Sequence, residues 1–166
     1  MKAVFALLLG CSLAAGLHAD DLTLRPFVGD SLSDITRERE GQPFVLILWS
    51  MDCPPCLREL AAIGNLNAAT TRQLVLVSTD DASRSNDIAA LLGEHGLLGL
   101  ENWIFSDPII ERSRYRVDPE WYGELPRAYF YDASHQRKPH SGMIDGAALE
   151  AWLLASRHIT FSKMEP

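Results

Sequence analysis

Cysteine is scarce. The chain has three in 166 residues, Cys11, Cys53 and Cys56, which excludes a scaffold stapled by several disulfides. A chain of this length buries enough apolar surface to fold without such staples. A structural zinc site needs four ligands; no second cysteine pair exists, and His95, His135, His140 and His158 are scattered without ligand spacing. No metal site is expected, and no cofactor. Positive charge is also in deficit: 15 Lys and Arg stand against 22 Asp and Glu, a formal net charge of −7. A nucleic-acid binder needs cation density to displace counterions, so no nucleic acid is expected as a partner, and an acidic surface suits anionic lipid poorly. There is no internal repeat, low-complexity stretch, or Met-rich or His-rich run. What remains, 47% hydrophobic and 22% charged, is the composition of one ordinary globular domain.

The N-terminus stands apart. Lys2 gives a short positive start, residues 3–9 are wholly apolar, and residues 12–17 continue the run with small residues. Leu17, His18 and Ala19 then offer a small residue before Asp20 and Asp21. This is the layout of a secretory signal peptide over residues 1–19, cleaved after Ala19, and it is too short for a stable span. The chain is therefore expected to be exported, into a periplasm or beyond. A competing pattern, Leu8-Leu9-Gly10-Cys11, resembles a bacterial lipobox and would anchor the chain as a lipoprotein at Cys11. Removing residues 1–19 leaves Cys53 and Cys56. A bridge across so small a loop constrains the unfolded chain very little, so the pair matters through reactivity.

Residues 20–43 read as a loose lead-in, with a polar turn of helical character over 33–40 closed by Gly41 and Pro43. Residues 44–49 (FVLILW) are a continuous apolar run, the pattern of a strand buried on both faces. Pro54 and Pro55 suit the opening of a helix, expected to run to residue 70 with Leu57, Leu60, Ala61 and Ile63 inward. Residues 74–78 are a second buried strand. Residues 83–95 are helical, with Ile88, Leu91 and Leu92 inward and Gly96 as the stop. Then come an extended piece at 103–105, a short helix at 108–115, a strand at 127–132, a polar turn at 133–139 and an edge strand at 140–144. Asp145 caps a last helix carried by Leu149, Trp152 and Leu153. Early strand–helix alternation forces parallel pairing, and the late hairpin adds antiparallel strands. The expected fold is α/β, a mixed sheet sandwiched by helices.

A Cys-x-x-Cys that opens a helix directly after a buried strand has a chemical logic. The helix N-terminus favours a thiolate, so Cys53 is the expected exposed nucleophile. Cys56, one turn deeper, is the expected resolving thiol. A mixed disulfide on Cys53 would be released by attack from Cys56.

Several motifs resemble the thioredoxin superfamily, most closely its exported TlpA/ResA/CcmG-type reductases, over residues 44–156. Trp49-Ser50-Met51-Asp52-Cys53-Pro54-Pro55-Cys56 is similar to the family's W-[AS]-x-x-C-x-x-C. Glu124-Leu125-Pro126-Arg127 resembles the segment that carries its cis-proline, and Gly142 matches a glycine of the last strand. The resemblance implies a thioredoxin-like domain over 44–166 and a thiol–disulfide oxidoreductase. It implies Cys53 and Cys56 as catalytic residues, and Leu125, Pro126, Trp49 and Gly142 on the substrate side. Its partners would be exported protein disulfides, in cytochrome c or copper-site maturation, and a membrane-embedded electron donor. A cis bond at Pro126 would turn the Leu125 backbone toward the cysteines, where it can pair with an extended substrate.

The chain departs from the family in ways that bear on the sulfur. Asp52 stands where thioredoxins carry a second tryptophan, and a carboxylate beside Cys53 raises its pKa. Pro54 and Pro55 remove two N–H donors, leaving mainly the Cys56 amide to bond the sulfur. Both effects predict a reducing pair rather than a strong oxidant. Asp52 is also a candidate proton acceptor for Cys56, since Ile47 occupies the place of thioredoxin's buried aspartate. Trp121 and Tyr122 are placed near the cysteine face, either to grip a partner or to cover the core. His135 and His140 are placed on the hairpin, whose turn lies about 20 Å from that face at about 3.3 Å per residue, so neither is expected to touch Cys53. Two other functions compete. Ser50-x-x-Cys53, with Arg127, resembles a peroxiredoxin-like peroxidase, although Leu46 stands where that family has proline. A Cu(I) carrier would use the two sulfurs as soft ligands.

Overall fold

The computed structural model describes residues 24–156. The signal peptide expected over residues 1–19, Cys11 within it, and the last ten residues lie outside the described residues.

In chain order the elements are β1 (Arg25–Phe27), α1 (Ser31–Glu38), β2 (Phe44–Trp49), α2 (Pro54–Gly64), α3 (Ala68–Thr71), β3 (Leu74–Ser78), α4 (Ser85–Glu94), β4 (Glu101–Phe105), α5 (Ile110–Val117), β5 (Arg127–Tyr131), β6 (Arg137–Ser141) and α6 (Gly146–Ser156). They build one six-stranded sheet in the order β1-β4-β3-β2-β5-β6. β1, β4, β3 and β2 are parallel, while β5 and β6 are antiparallel additions.

β2 is central because every residue in it is apolar and every one is buried. Its side chains alternate between two cores, as a strand's must. Val45, Ile47 and Trp49 meet Cys56, Leu60 and Ile63 of α2, Ile88 and Leu92 of α4, and Leu149 and Leu153 of α6. Phe44, Leu46 and Leu48 meet Ile35 of α1, Val117 of α5, Phe27 and Trp121 on the other side. The helices thus sandwich the sheet.

Four local expectations change. Residues 25–38 are not a loose lead-in: β1 pairs with β4, and Phe27 and Ile35 are fully buried. The cysteine helix stops at Gly64 rather than running to residue 70. Asn65 caps it, and the Asn67 side chain accepts the Ala69 N–H at 2.8 Å to start the separate α3. A 3-10 turn, Ala82–Arg84, precedes α4. The hairpin turn is tighter than 133–139, so β6 begins at Arg137. His140 consequently lies opposite Ala128, near the start of β5, and not at the turn with His135.

Both sheet edges carry a proline, Pro26 and Pro139. The Gly142 N–H bonds to Pro126 O and the Asp132 N–H to Gln136 O. By alternation, Pro139 occupies an outward-facing position of β6, where it offers no N–H to an added strand.

Candidate functional site

The site lies past the C-terminal ends of β2 and β3, where open α/β sheets place their ligands. Pro54 and Pro55 open α2 at positions where a missing N–H is harmless, so Cys53 becomes the N-cap with extended backbone. Its sulfur accepts the Cys56 N–H at 3.2 Å, the donor left once two prolines have removed theirs. Cys53 is half-buried and Cys56 fully buried. The two form a disulfide, with Cα atoms 5.2 Å apart.

A buried carboxylate holds the loop that leads to Cys53. Asp80, two residues past β3, accepts from Ser50 Oγ at 2.9 Å, Met51 N at 3.0 Å and Ser78 Oγ at 2.7 Å. Ser50 Oγ in turn accepts the Asp52 N–H at 3.1 Å. Asp52 itself is exposed, and Arg84 grips it with both guanidinium nitrogens, at 2.7 and 3.3 Å. Its carboxylate is therefore engaged by a cation, which offsets the charge effect expected on Cys53.

A second buried acid at this site, and the one nearest along the chain to Cys56, is Glu59, one helical turn beyond it on α2 and 3% exposed. Its Oε1 accepts the Ile144 N–H at 2.7 Å. Burial pushes the Glu59 carboxyl above the usual carboxylate range, and the Ile144 N–H and the nearby His140 offset only part of that.

The other wall comes from the start of β5. The register pairs Leu48 with Arg127, so Pro126 falls beside the end of β2. The Leu125–Pro126 peptide is cis. Leu125 is half-buried and packs against both cores, while Cys53 and Met51 pack against the first of them. The Gly142 N–H donates to Pro126 O at 2.9 Å, and Gly142 has φ +90°, a conformation open to glycine.

Arg127 fixes this wall. It donates to Glu124 Oε1 at 2.9 Å and Ser141 Oγ at 2.6 Å, and it meets Asp118 at 3.4 Å. Asp118 is buried, which acts to raise its pKa. The Tyr129 hydroxyl at 2.8 Å, the Glu120 N–H, Arg137 and Arg127 together outweigh that and hold it below the usual range.

The candidate residues thus sort by position. Cys53, Cys56, Leu125, Pro126 and Gly142 gather at one end of the sheet. Trp49 does not face a substrate: it is 1% exposed and packs beneath α2. Trp121 covers the second core, with its indole N–H donating to Glu124 O at 2.9 Å, whereas Tyr122 is exposed. Asp80, Arg84 and Glu59 were not anticipated. For Glu59 the signal was there: Cys56 and Glu59 stand three apart in a helix and share a face.

No protein-family model and no curated protein matches the chain. Solved structures do. A secreted disulfide oxidoreductase of Mycobacterium tuberculosis, homologous to DsbE of E. coli, superposes with a TM-score of 0.55 at 19% identity, over 72% of this chain and 85% of the other. A thioredoxin-family thiol:disulfide interchange protein of Chlorobium tepidum gives 0.58 at 15% identity, over 74% and 84%. A secreted thiol-disulfide isomerase of Corynebacterium glutamicum gives 0.54 at 21% identity, over 77% and 75%. At these identities the likeness is one of architecture, and the described residues have the thioredoxin-like fold.

Proposed function

We propose that the chain is a thiol–disulfide oxidoreductase, working as a reductase or exchange enzyme on exported protein disulfides. One observation carries the reading: a disulfide between a half-buried N-cap cysteine and a fully buried cysteine one turn deeper, at the sheet end where Pro126 lies. Two structurally similar proteins are themselves secreted enzymes of this chemistry.

In the reduced chain the Cys53 thiolate attacks one sulfur of a substrate disulfide. A mixed disulfide forms on Cys53, and the other substrate sulfur leaves as a thiolate that takes a proton from water. Cys56 then loses its proton and attacks Cys53 Sγ. The Cys53–Cys56 disulfide forms and the second substrate thiolate departs. Two electrons have passed to the substrate. A dithiol donor must return them, and a membrane-embedded one suits an exported enzyme. Glu59 is the buried acid nearest along the helix to Cys56, and a carboxyl with a raised pKa is suited to hold that proton. A helix start backed by a single N–H donor supports the Cys53 thiolate only modestly, and a pair whose thiolate is weakly supported is reducing rather than strongly oxidising, which fits exported substrates whose cysteines must be kept open, those that bind haem or copper among them.

Reduction of insulin tests the reading. The reduced wild-type chain should precipitate the insulin B chain, and Cys53→Ser should abolish this. Cys56→Ala expressed in an exporting cell should accumulate mixed disulfides on Cys53, whose partners identify the pathway. A wild-type chain inert toward protein disulfides would end the proposal.

A further inference from the structure

Asp52 immediately precedes the attacking sulfur. A free carboxylate there would disfavour the Cys53 thiolate. The structure does not leave it free. Arg84 Nη1 lies 2.7 Å from Asp52 Oδ2 and 3.0 Å from Asp80 Oδ1, while Nη2 reaches Asp52 Oδ1 at 3.3 Å. One guanidinium therefore joins an exposed acid beside Cys53 to the buried acid that pins Ser50 and Met51. An ion pair this exposed adds little to stability. Its consequence is electrostatic and local: it sets the net charge facing the sulfur.

We propose that Arg84 is a positioning residue for Cys53: its guanidinium bridges Asp52 to Asp80, fixes the 50–53 loop and cancels the charge of the carboxylate that immediately precedes the attacking cysteine in the chain. The inference rests on the thiol-exchange reading above and deepens it. The other charged groups at this end are Asp81, which caps the turn carrying Arg84, Asp87 on α4, which also acts on the Arg84 guanidinium, Arg58 and Glu59 on α2, Glu124 and Arg127, which pair with each other at the start of β5, and His140 on β6. All of them stay in place in the variants below. Lysine cannot replace the arginine fully, because it carries the charge without the two-pronged fork.

The test is the pH profile of Cys53 alkylation in the full reduced chain, read at that residue by peptide mass. Arg84→Gln uncovers Asp52, so the profile moves to higher pH and the thiolate fraction on its rising limb falls by about 3- to 10-fold. Arg84→Lys moves it less. Raising the salt concentration shrinks the shift, because the uncovered charge is exposed. Adding Asp52→Asn to Arg84→Gln brings the profile back to the wild-type position or below it. An unmoved Arg84→Gln profile overturns the proposal. So does a double variant displaced as far as the single one, since charge would then not be the cause. Should the glutamine variant not fold, Arg84→Lys with and without Asp52→Asn makes the same comparison. The functional reading fails separately, through a wild type inert toward insulin, and that result would leave the alkylation shift intact.

Discussion

Glu59 is held where its charge is unwelcome: the side chain is nearly inaccessible, and burial keeps its proton on above the usual carboxylate range. The sign of the consequence follows from linkage. A carboxyl whose folded pKa exceeds its unfolded value binds its proton more tightly in the folded chain. Stability is then fully present below the unfolded value, about pH 4, and is lost as pH rises through the folded one. Glu59→Gln keeps an oxygen to accept the Ile144 N–H and removes the ionisation. The variant should match the wild type in urea unfolding near pH 4 and exceed it at pH 7. The same substitution should lengthen the life of the mixed disulfide, because the resolving thiol loses its buried acid. Equal pH dependence of stability in the two proteins would show that Glu59 does not ionise in the fold. A further lesson at this scale concerns what can be read locally. Cys53, Cys56 and Pro126 announce themselves through neighbours in the sequence. The Asp52–Arg84 pair is separated by 32 residues and comes into being only when the loops after β2 and β3 are brought side by side.

At the scale of elements, α2 is pinned at both ends. Its start carries the cysteines, and its end passes so close to α4 that a Cβ on Gly64 would stand 2.4 Å from the His95 carbonyl oxygen. That oxygen belongs to backbone at the C-cap of α4 and cannot swing aside as a side chain can. Gly64→Ala must therefore push the two helices apart, and it should lower stability by about 1–3 kcal/mol even though alanine favours the helix. Thermal unfolding reads this directly; a stabilised variant would mean that the helices part without cost. The elements differ in how openly the sequence declares them. β2 and β3 were legible because a strand buried on both faces is apolar along nearly its whole length, with Ser78 at the end of β3 the one polar residue in either. α2 was legible at its start, from two prolines, but not at its end, where Asn65 and Asn67 stop and restart the chain through caps. β1 could not be read at all. Arg25-Pro26-Phe27 is too short to show a period, and it is a strand because β4, far along the chain, gives it a partner.

For the molecule as a whole, oxidation state and folding stability are one thermodynamic cycle. The pair spans a sequence separation of 3, so closing it barely restricts the unfolded chain. Any difference in stability between the oxidised and reduced protein must then report how the fold treats the free sulfurs. Here the fold offers Cys53 one amide donor and a helix start, with the neighbouring charges balanced through Arg84, and it encloses Cys56 completely. A thiolate so modestly supported does little to stabilise the reduced state. The oxidised chain should therefore unfold at a higher urea concentration than the reduced one. The gap should be about 1.4 kcal/mol for every 30 mV by which the native pair is more reducing than the unfolded pair. The gap and the potential are separate measurements, urea unfolding on one side and equilibration with glutathione on the other, so their agreement is itself a test of the cycle. A reduced form more stable than the oxidised one would make the pair an oxidant, and the direction of electron flow proposed for this chain would reverse.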